Sequence, residues 1–208
     1  EEAARLVEKI VAYDQSKPSD GILLVADKND GYDFAGLNTR LGGAIPSAFK
    51  VEQIKRGSMD DVTARARVLE ALNHGNKIVN YAGHGNIDLW RGGILTSSDA
   101  AALTNYESLS FFVMMTCLNG YFNDPATEGL GEVLVKSKGG AIAVWASTGM
   151  TVPTSQAIIN EDLLRMVLGA GGRTLTLGEA TMRAKSSMAD MDVRRTWVLL
   201  GDPTTRLR

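Results

Sequence analysis

Short apolar runs alternate along the chain with segments in which apolar residues recur at helical spacing. Residues 22–26 are apolar without interruption, which is typical of a strand buried on both faces of a parallel sheet. In residues 1–14, by contrast, Leu6, Val7 and Ile10 share one face of a predicted helix. The same patterns predict further strands at residues 49–54, 77–81, 111–115 and 140–146, and further helices at residues 34–41, 58–73, 97–103, 127–137, 155–168 and 177–189.

This alternation predicts a mostly parallel sheet with helices on both faces, because parallel strands need crossover connections. The chain has 208 residues and contains no repeat or long linker, so a single α/β domain is expected. Within it, Ser58 is expected to cap the helix that follows, and Gly75 is expected to end that helix.

Charge and hydropathy argue against two kinds of partner. Lys and Arg total 22 and Asp and Glu total 24, so there is no basic excess of the kind that binds nucleic acid. No apolar run approaches the ~20 residues that a membrane-spanning helix needs. The acidic first residues also differ from the basic start of a secretory signal. We therefore expect neither nucleic acid nor a membrane as a partner.

The chain contains one cysteine, Cys117. A single cysteine excludes an internal disulfide. Together with only two histidines, it also excludes a zinc site with four Cys and His ligands. Cys117 is therefore either a small core residue or a thiol that takes part in a reaction.

Two residues with reactive side chains follow predicted strands. His84 comes directly after the strand at 77–81, between Gly83 and Gly85, and Cys117 follows the strand at 111–115. Ligands of parallel sheets bind beyond the carboxyl ends of the strands, where loops carry functional residues. If the two strands are neighbours, a thiol and an imidazole project from one sheet edge, which is the arrangement that nucleophilic acyl transfer needs.

Chain order and the glycines support this interpretation. His84 precedes Cys117, as in caspase-type enzymes, whereas papain-like enzymes place the cysteine first. Gly85 allows a substrate to approach the backbone, so its N–H and that of Cys117 are candidates for an oxyanion hole. A cysteine at a strand end is more often an inert core residue, but the pairing with His84 favours chemistry. His74 stands at a predicted helix end, where it interacts favourably with the helix dipole.

Longer motifs resemble the gingipain family of cysteine peptidases. The resemblance covers nearly the whole chain, from about Ile22 to Leu207, with the motifs in the family's order. The pair of Gly-His-Gly and Cys-x-Asn-Gly is the specific part. The segments that carry it are residues 80–85, Trp90, residues 95–99, 116–122, 140–148 and 199–203.

The resemblance implies a caspase-like three-layer α/β/α sandwich and an endopeptidase. In it Cys117 is the nucleophile, His84 is the general acid and base, and the N–H groups of Gly85 and Cys117 form the oxyanion hole. It also implies a bacterial protein that is secreted or held at the cell surface, with cleavage after a basic residue. Its partners would be a protein or peptide substrate and other domains of a longer polypeptide.

An acid that orients His84 is expected in the loop after the first strand. That loop offers Asp27, Asp30 and Asp33, and Asp33 is the first choice, with Asp30 next. Asp residues also stabilise turns through their own backbone, which is the alternative for all three.

The primary specificity pocket departs from the family pattern. Members that cut after arginine have a tryptophan in the loop after the fifth strand, whereas this chain has Met150 and Val152 there. These two residues are candidates for a more apolar pocket. Trp145 lies within the strand and is expected in the core. Relatives bind calcium, but no Asp-rich loop with calcium-ligand spacing is present, so no metal or other cofactor is assigned.

Two other functions remain open. A non-catalytic caspase-like domain for adhesion, scaffolding or secretion could keep both residues with a blocked pocket. A thiol-dependent amidase or acyltransferase could use the same pair on a small molecule.

Overall fold

A computed structural model of the chain describes residues 2–169 and 175–208. The strands are β1 (Gly21–Ala26), β2 (Lys50–Lys55), β3 (Ile78–Ala82), β4 (Ser110–Met115), β5 (Ala141–Ser147) and β6 (Trp197–Gly201). The helices are α1 (Glu2–Gln15), α2 (Phe34–Ala44), α3 (Asp61–His74), α4 (Ser97–Ala101), α5 (Leu130–Lys136), α6 (Pro153–Val167), α7 (Leu177–Ser186) and α8 (Met191–Thr196). These bounds agree with most of the predicted elements to within a few residues.

The six strands form one sheet in the order β2-β1-β3-β4-β5-β6. Five strands run parallel, and β6 pairs antiparallel with β5 at one edge. The chain passes from β1 outward to β2 and then back across β1 to β3. This reversal places a topological switch point beside β3, where parallel sheets bind ligands beyond their carboxyl ends.

Side chains of alternate strand residues enter two hydrophobic cores, one on each face of the sheet. In β4, Phe111, Val113 and Met115 enter one core, and Phe112 and Met114 enter the other. The first core also takes residues from α2, α6, α7 and α8, and the second takes residues from α3, α4 and α5. Helices therefore cover both faces, and the fold has the predicted three layers.

Two local predictions need correction or addition. Ser58 does not cap α3, because Asp60 is the N-cap and accepts a hydrogen bond from the Thr63 N–H at 2.9 Å. Ser58 instead lies in a short 3-10 turn and donates its hydroxyl to the Lys55 carbonyl. Gly75 ends α3 with a positive φ of 80°, as predicted. The helix α8 has six residues, too few for helical periodicity to predict it.

The N-terminal helix is held by a half-buried lysine. Nζ of Lys9 lies 2.7–3.2 Å from the carbonyl oxygens of Leu134, Val135, Ser137 and Gly139, at and beyond the end of α5. Such a cation satisfies carbonyls that the last helical turn leaves without partners. Burial lowers the pKa of Lys9 to about 7.

In the described ranges, no helix combines the length and the apolar character that crossing a membrane requires.

Candidate active site

The register of two neighbouring strands relates His84 to Cys117. Every paired residue of β3 has its partner in β4 33 positions later, from Ile78 with Phe111 to Ala82 with Met115. The pairing extends one step further, since the Gly83 N–H donates to the Met115 carbonyl at 3.1 Å. Cys117 lies 33 positions after His84, so the two residues follow the strand ends at equivalent places.

The loop that carries His84 packs directly against the residue before the thiol. A Cβ on Gly85 would lie 2.6 Å from Oγ1 of Thr116, too close for any side chain. The buried amide of Asn119 adds a second link, because it donates to the carbonyl oxygens of Asn86 and Leu89. The two loops thus form one continuous surface at the sheet edge.

A strained turn presents Cys117. Leu118 has a φ of 63°, in the left-handed region that residues other than glycine rarely enter. The turn is closed by the Asn119 N–H, which donates to the Cys117 carbonyl at 2.9 Å. Such strain persists where the surroundings enforce it, and it is common at functional sites.

The loop that carries the two predicted pocket residues reaches the thiol through Thr151. Sγ of Cys117 donates to the Thr151 carbonyl at 3.7 Å, and Thr151 lies between Met150 and Val152. The buried Gln156 amide fixes this loop by donating to the carbonyl and hydroxyl oxygens of Thr151, at 2.9 and 2.6 Å. Met150 is 79% exposed and Val152 is 54% exposed, so this loop presents apolar side chains at the surface.

The His84 ring packs on Phe34, the first residue of α2. The ring centroids are 5.4 Å apart and the planes meet at 80°, an edge-to-face contact. Nε2 of His84 is buried and has no hydrogen-bond partner among the residues that the structure describes. The imidazole is therefore positioned by packing against Phe34, with this nitrogen enclosed and without a partner among the described residues.

The three candidate acids have different partners. Asp27 is buried, forms an ion pair with Arg56 at 2.6 Å, and accepts a hydrogen bond from the main-chain N–H of His84 at 3.1 Å. Asp30 is exposed and pairs with Arg91 at 2.8 Å. Asp33 is the N-cap of α2 and accepts the Gly36 N–H at 2.8 Å. No hydrogen bond joins any of the three carboxylates to the His84 ring within the described ranges.

The charges around these acids single out Asp30. The hydrogen bond from Arg91, followed by the charge of Arg91, holds the pKa of Asp30 below its ordinary value, and the charge of His84 contributes in the same direction. For Asp33 the main-chain N–H of Gly36, followed by the Asn29 amide, lowers the pKa. Asp30 therefore interacts electrostatically with His84, while Asp33 serves the helix.

Two main-chain donors are available beside the thiol. The antiparallel bridge between Gly85 and Trp90 bonds only the flanking residues, through Arg91 N–H to His84 O and Asn86 N–H to Leu89 O. The N–H groups of Gly85 and Cys117 donate to no other described residue. Unpaired N–H groups at this place are suited to stabilise an oxyanion.

Sequence reasoning missed Phe34, Arg56 and the role of Tyr81. The position of Asp27 directly after β1 was the one feature of the sequence that pointed to this part of the site. The contacts of Phe34 with His84 and of Arg56 with Asp27 join distant parts of the chain, and the hydroxyl of Tyr81 bonds the carbonyl of His84 three residues further on. Trp145 is buried, as expected. In the described part of the chain, no group of three or more His, Cys, Asp and Glu side chains is placed to hold a metal ion.

Comparison with known proteins identifies the family of the chain. A sequence profile of peptidase family C25 matches residues 1–208. Gingipain R2 of Porphyromonas gingivalis is 26% identical over 157 residues, which cover 68% of this chain and 21% of that protein. The chain thus spans about a fifth of this relative's length.

Solved structures share the fold. The crystal structure of gingipain R, described as an Arg-specific cysteine proteinase, has a TM-score of 0.81 at 19% identity and covers 99% of this chain and 52% of that chain. Separase in the Saccharomyces cerevisiae separase–securin complex has a TM-score of 0.59 at 15% identity, covering 95% of this chain and 13% of that one. The expected caspase-like three-layer fold is confirmed. Since the profile match extends over the whole sequence, the chain belongs to peptidase family C25.

Proposed function

We propose that the protein is a cysteine endopeptidase in which Cys117 is the nucleophile and His84 is the general acid and base. The observation that carries the proposal is the shared register of the two residues beyond β3 and β4, beside two unpaired main-chain N–H groups. Membership of a cysteine peptidase family supports it.

The reaction follows from the roles of these groups. The Cys117 thiolate forms a bond to the carbonyl carbon of the scissile peptide, and the π electrons of that carbonyl move to its oxygen. The N–H groups of Gly85 and Cys117 bind the resulting oxyanion. When the carbonyl re-forms, the C–N bond breaks and the leaving amine takes a proton from the His84 imidazolium. Water, deprotonated by His84, then attacks the thioester and releases the acid and the thiol.

The acid that assists His84 is the next element of the proposal. Asp33 is the choice from the family resemblance, and its carboxylate caps α2. Of Asp30 and Asp33, only Asp30 has the charge of His84 among the influences that lower its pKa. We favour Asp30 on this ground, and the two assignments predict different results.

Replacing Asp30 by asparagine is expected to lower kcat/KM several-fold. Asparagine has nearly the same size and can still accept the hydrogen bond from Arg91, so the change removes the negative charge alone. Asp33→Asn is the matched control, because asparagine is also a good N-cap and should preserve α2. Rates of both variants on one peptide check this. A loss in Asp33→Asn alone would restore Asp33 as the assisting acid.

The nature of the primary pocket is a separate part of the proposal. The three tryptophans of the chain are all buried, so none of them walls the pocket. Met150 and Val152 supply apolar surface instead. A basic residue before the scissile bond follows from the family resemblance, whereas these walls favour an apolar one, and a peptide library separates the two.

The test is cleavage of a fluorogenic library varied at the residue before the scissile bond, under reducing conditions. Wild type is compared with the same protein after treatment with iodoacetamide. Because Cys117 is the single cysteine, alkylation blocks one residue alone. We expect cleavage that alkylation abolishes, with the fastest peptide revealing the pocket's preference.

Other results would support the alternatives. An alkylated protein that still cuts peptides would exclude the Cys117 mechanism. No cleavage together with slow alkylation would favour the non-catalytic domain. No cleavage together with fast alkylation would favour a small-molecule amidase or acyltransferase, because the thiol would still be activated.

The wider setting is also proposed from the resemblance. The chain spans a minority of gingipain R2, which supports a single peptidase domain at residues 1–208 within a longer polypeptide. The relatives come from a bacterium, and we propose secretion or display at a bacterial cell surface, with proteins or peptides as substrates.

A further inference from the structure

The main chain of His84 is fixed on both sides by buried side chains. Its N–H donates to Oδ2 of Asp27 at 3.1 Å. Its carbonyl accepts the Tyr81 hydroxyl at 2.6 Å and the Arg91 N–H at 2.9 Å. Because both main-chain groups of His84 are held, the peptide planes on either side of it have little freedom to turn.

One of these planes carries the proposed oxyanion donor. The carbonyl of His84 and the N–H of Gly85 belong to the same planar, trans peptide unit and point in opposite directions. Fixing the direction of the carbonyl therefore fixes the direction of the N–H. Tyr81 holds the carbonyl end, and the Gly85 N–H at the other end is unpaired within the described ranges.

The Tyr81 side chain is held in place as a hydrogen-bond donor. It is fully buried in β3, and its ring stacks on Trp90 with centroids 4.2 Å apart and planes at 5°. Burial, followed by the negative charge of Asp27, raises the pKa of Tyr81 well above its usual value, so the hydroxyl keeps its proton. Gly83 leaves room for this contact, since a Cβ there would lie 2.5 Å from the hydroxyl oxygen and 2.4 Å from Cβ of Asp27.

We infer that Tyr81 is a positioning residue that aims the Gly85 N–H at the developing oxyanion. The inference rests on the proposed function. Tyr81 acts through the His84–Gly85 peptide and touches neither the thiol nor the substrate. It should therefore affect the steps in which a carbonyl oxygen gains charge, and leave the reactivity of the thiol itself unchanged.

Tyr81→Phe tests this, because it removes one oxygen and keeps the stack on Trp90. We expect kcat on the best library peptide to fall about tenfold, a fraction of the loss that follows deletion of an oxyanion donor, with little change in KM. A peptide aldehyde forms a hemithioacetal with an oxyanion, so its affinity should fall by a similar factor. Alkylation by iodoacetamide creates no oxyanion, so its rate should stay within twofold of wild type.

Tyr13→Phe is the matched control. Tyr13 is also a buried tyrosine whose hydroxyl makes a hydrogen bond, with the Arg208 N–H at 3.1 Å, and it lies on α1. All three measurements should stay at wild-type values in this variant.

Failure of this inference can be distinguished from failure of the proposed function. Unchanged kcat and aldehyde affinity in Tyr81→Phe would overturn the inference, and so would an equal loss in the alkylation rate, which would show a general disturbance of the site. Wild type without Cys117-dependent cleavage would instead overturn the proposed function, and this inference with it.

Discussion

Replacing Cys117 by alanine is expected to lower kcat/KM by roughly 10⁴- to 10⁶-fold, with no loss of folding stability. Removing one member of a catalytic unit lowers kcat by about 10⁴- to 10⁶-fold, and the nucleophile stands at the upper end of that range. Cys117 is only half-buried, and the turn around it is held by main-chain bonds from Leu118 and Asn119 that alanine keeps. Rates on the best library peptide and thermal unfolding of both proteins check the two halves of this prediction.

His84→Ala should lose nearly as much, and the double variant should lose no more than Cys117→Ala alone. Residues that act as one unit are strongly non-additive, because the base has no role once the nucleophile is gone. His74→Ala is the matched control, since His74 is the other histidine of the chain and lies exposed at the end of α3. Additive losses in the double variant would contradict a joint role.

Arg56→Met is expected to cost about 3–5 kcal/mol of folding stability, the largest stability effect that we anticipate. The change leaves the Asp27 carboxylate buried without a counter-charge, a situation that is strongly destabilising. The side chain of Asp27 is fully buried and that of Arg56 is 7% exposed. The guanidinium also binds Asp61 through two hydrogen bonds of 2.8 Å and fills the space beside Gly92. Urea unfolding measures the loss.

A second substitution identifies the cause. Asn at position 27 carries no charge and can still accept the His84 N–H, so Asp27→Asn combined with Arg56→Met should recover much of the lost stability. Arg67→Met serves as the control, because Arg67 pairs with Glu52 on the surface at 3.6 Å. Exposed pairs contribute roughly 1 kcal/mol or less. Equal losses at positions 56 and 67 would show that burial of Asp27 is not the cause.

The sequence reveals those parts of the fold that depend on near neighbours. Apolar runs such as residues 111–115 mark the central strands, because a strand buried on both faces has no polar side to confuse the pattern. The candidate pair could be predicted for the same reason, since β3 and β4 follow each other along the chain and pair directly.

The remaining parts of the site depend on contacts between distant segments. Asp27 and Arg56 are 29 positions apart, and the sequence near either residue does not indicate that the two form an ion pair. Phe34 looks like any core residue of an amphipathic helix until α2 packs beside β3. The choice between Ser58 and Asp60 as a helix cap is local, but both residue types suit the position, so propensity alone does not decide it.

The grip of Lys9 on the end of α5 has a consequence for the time course of biosynthesis. Its carbonyl partners lie 125 to 130 positions further along the chain. At roughly 5–20 residues per second, a ribosome takes on the order of ten seconds to produce that length. During this interval α1 has left the ribosome without its partners. Its apolar face is therefore accessible to other proteins, such as chaperones. Docking of α1 through Lys9 is therefore a late event, because it must wait until α5 and the turn that follows it have been synthesised.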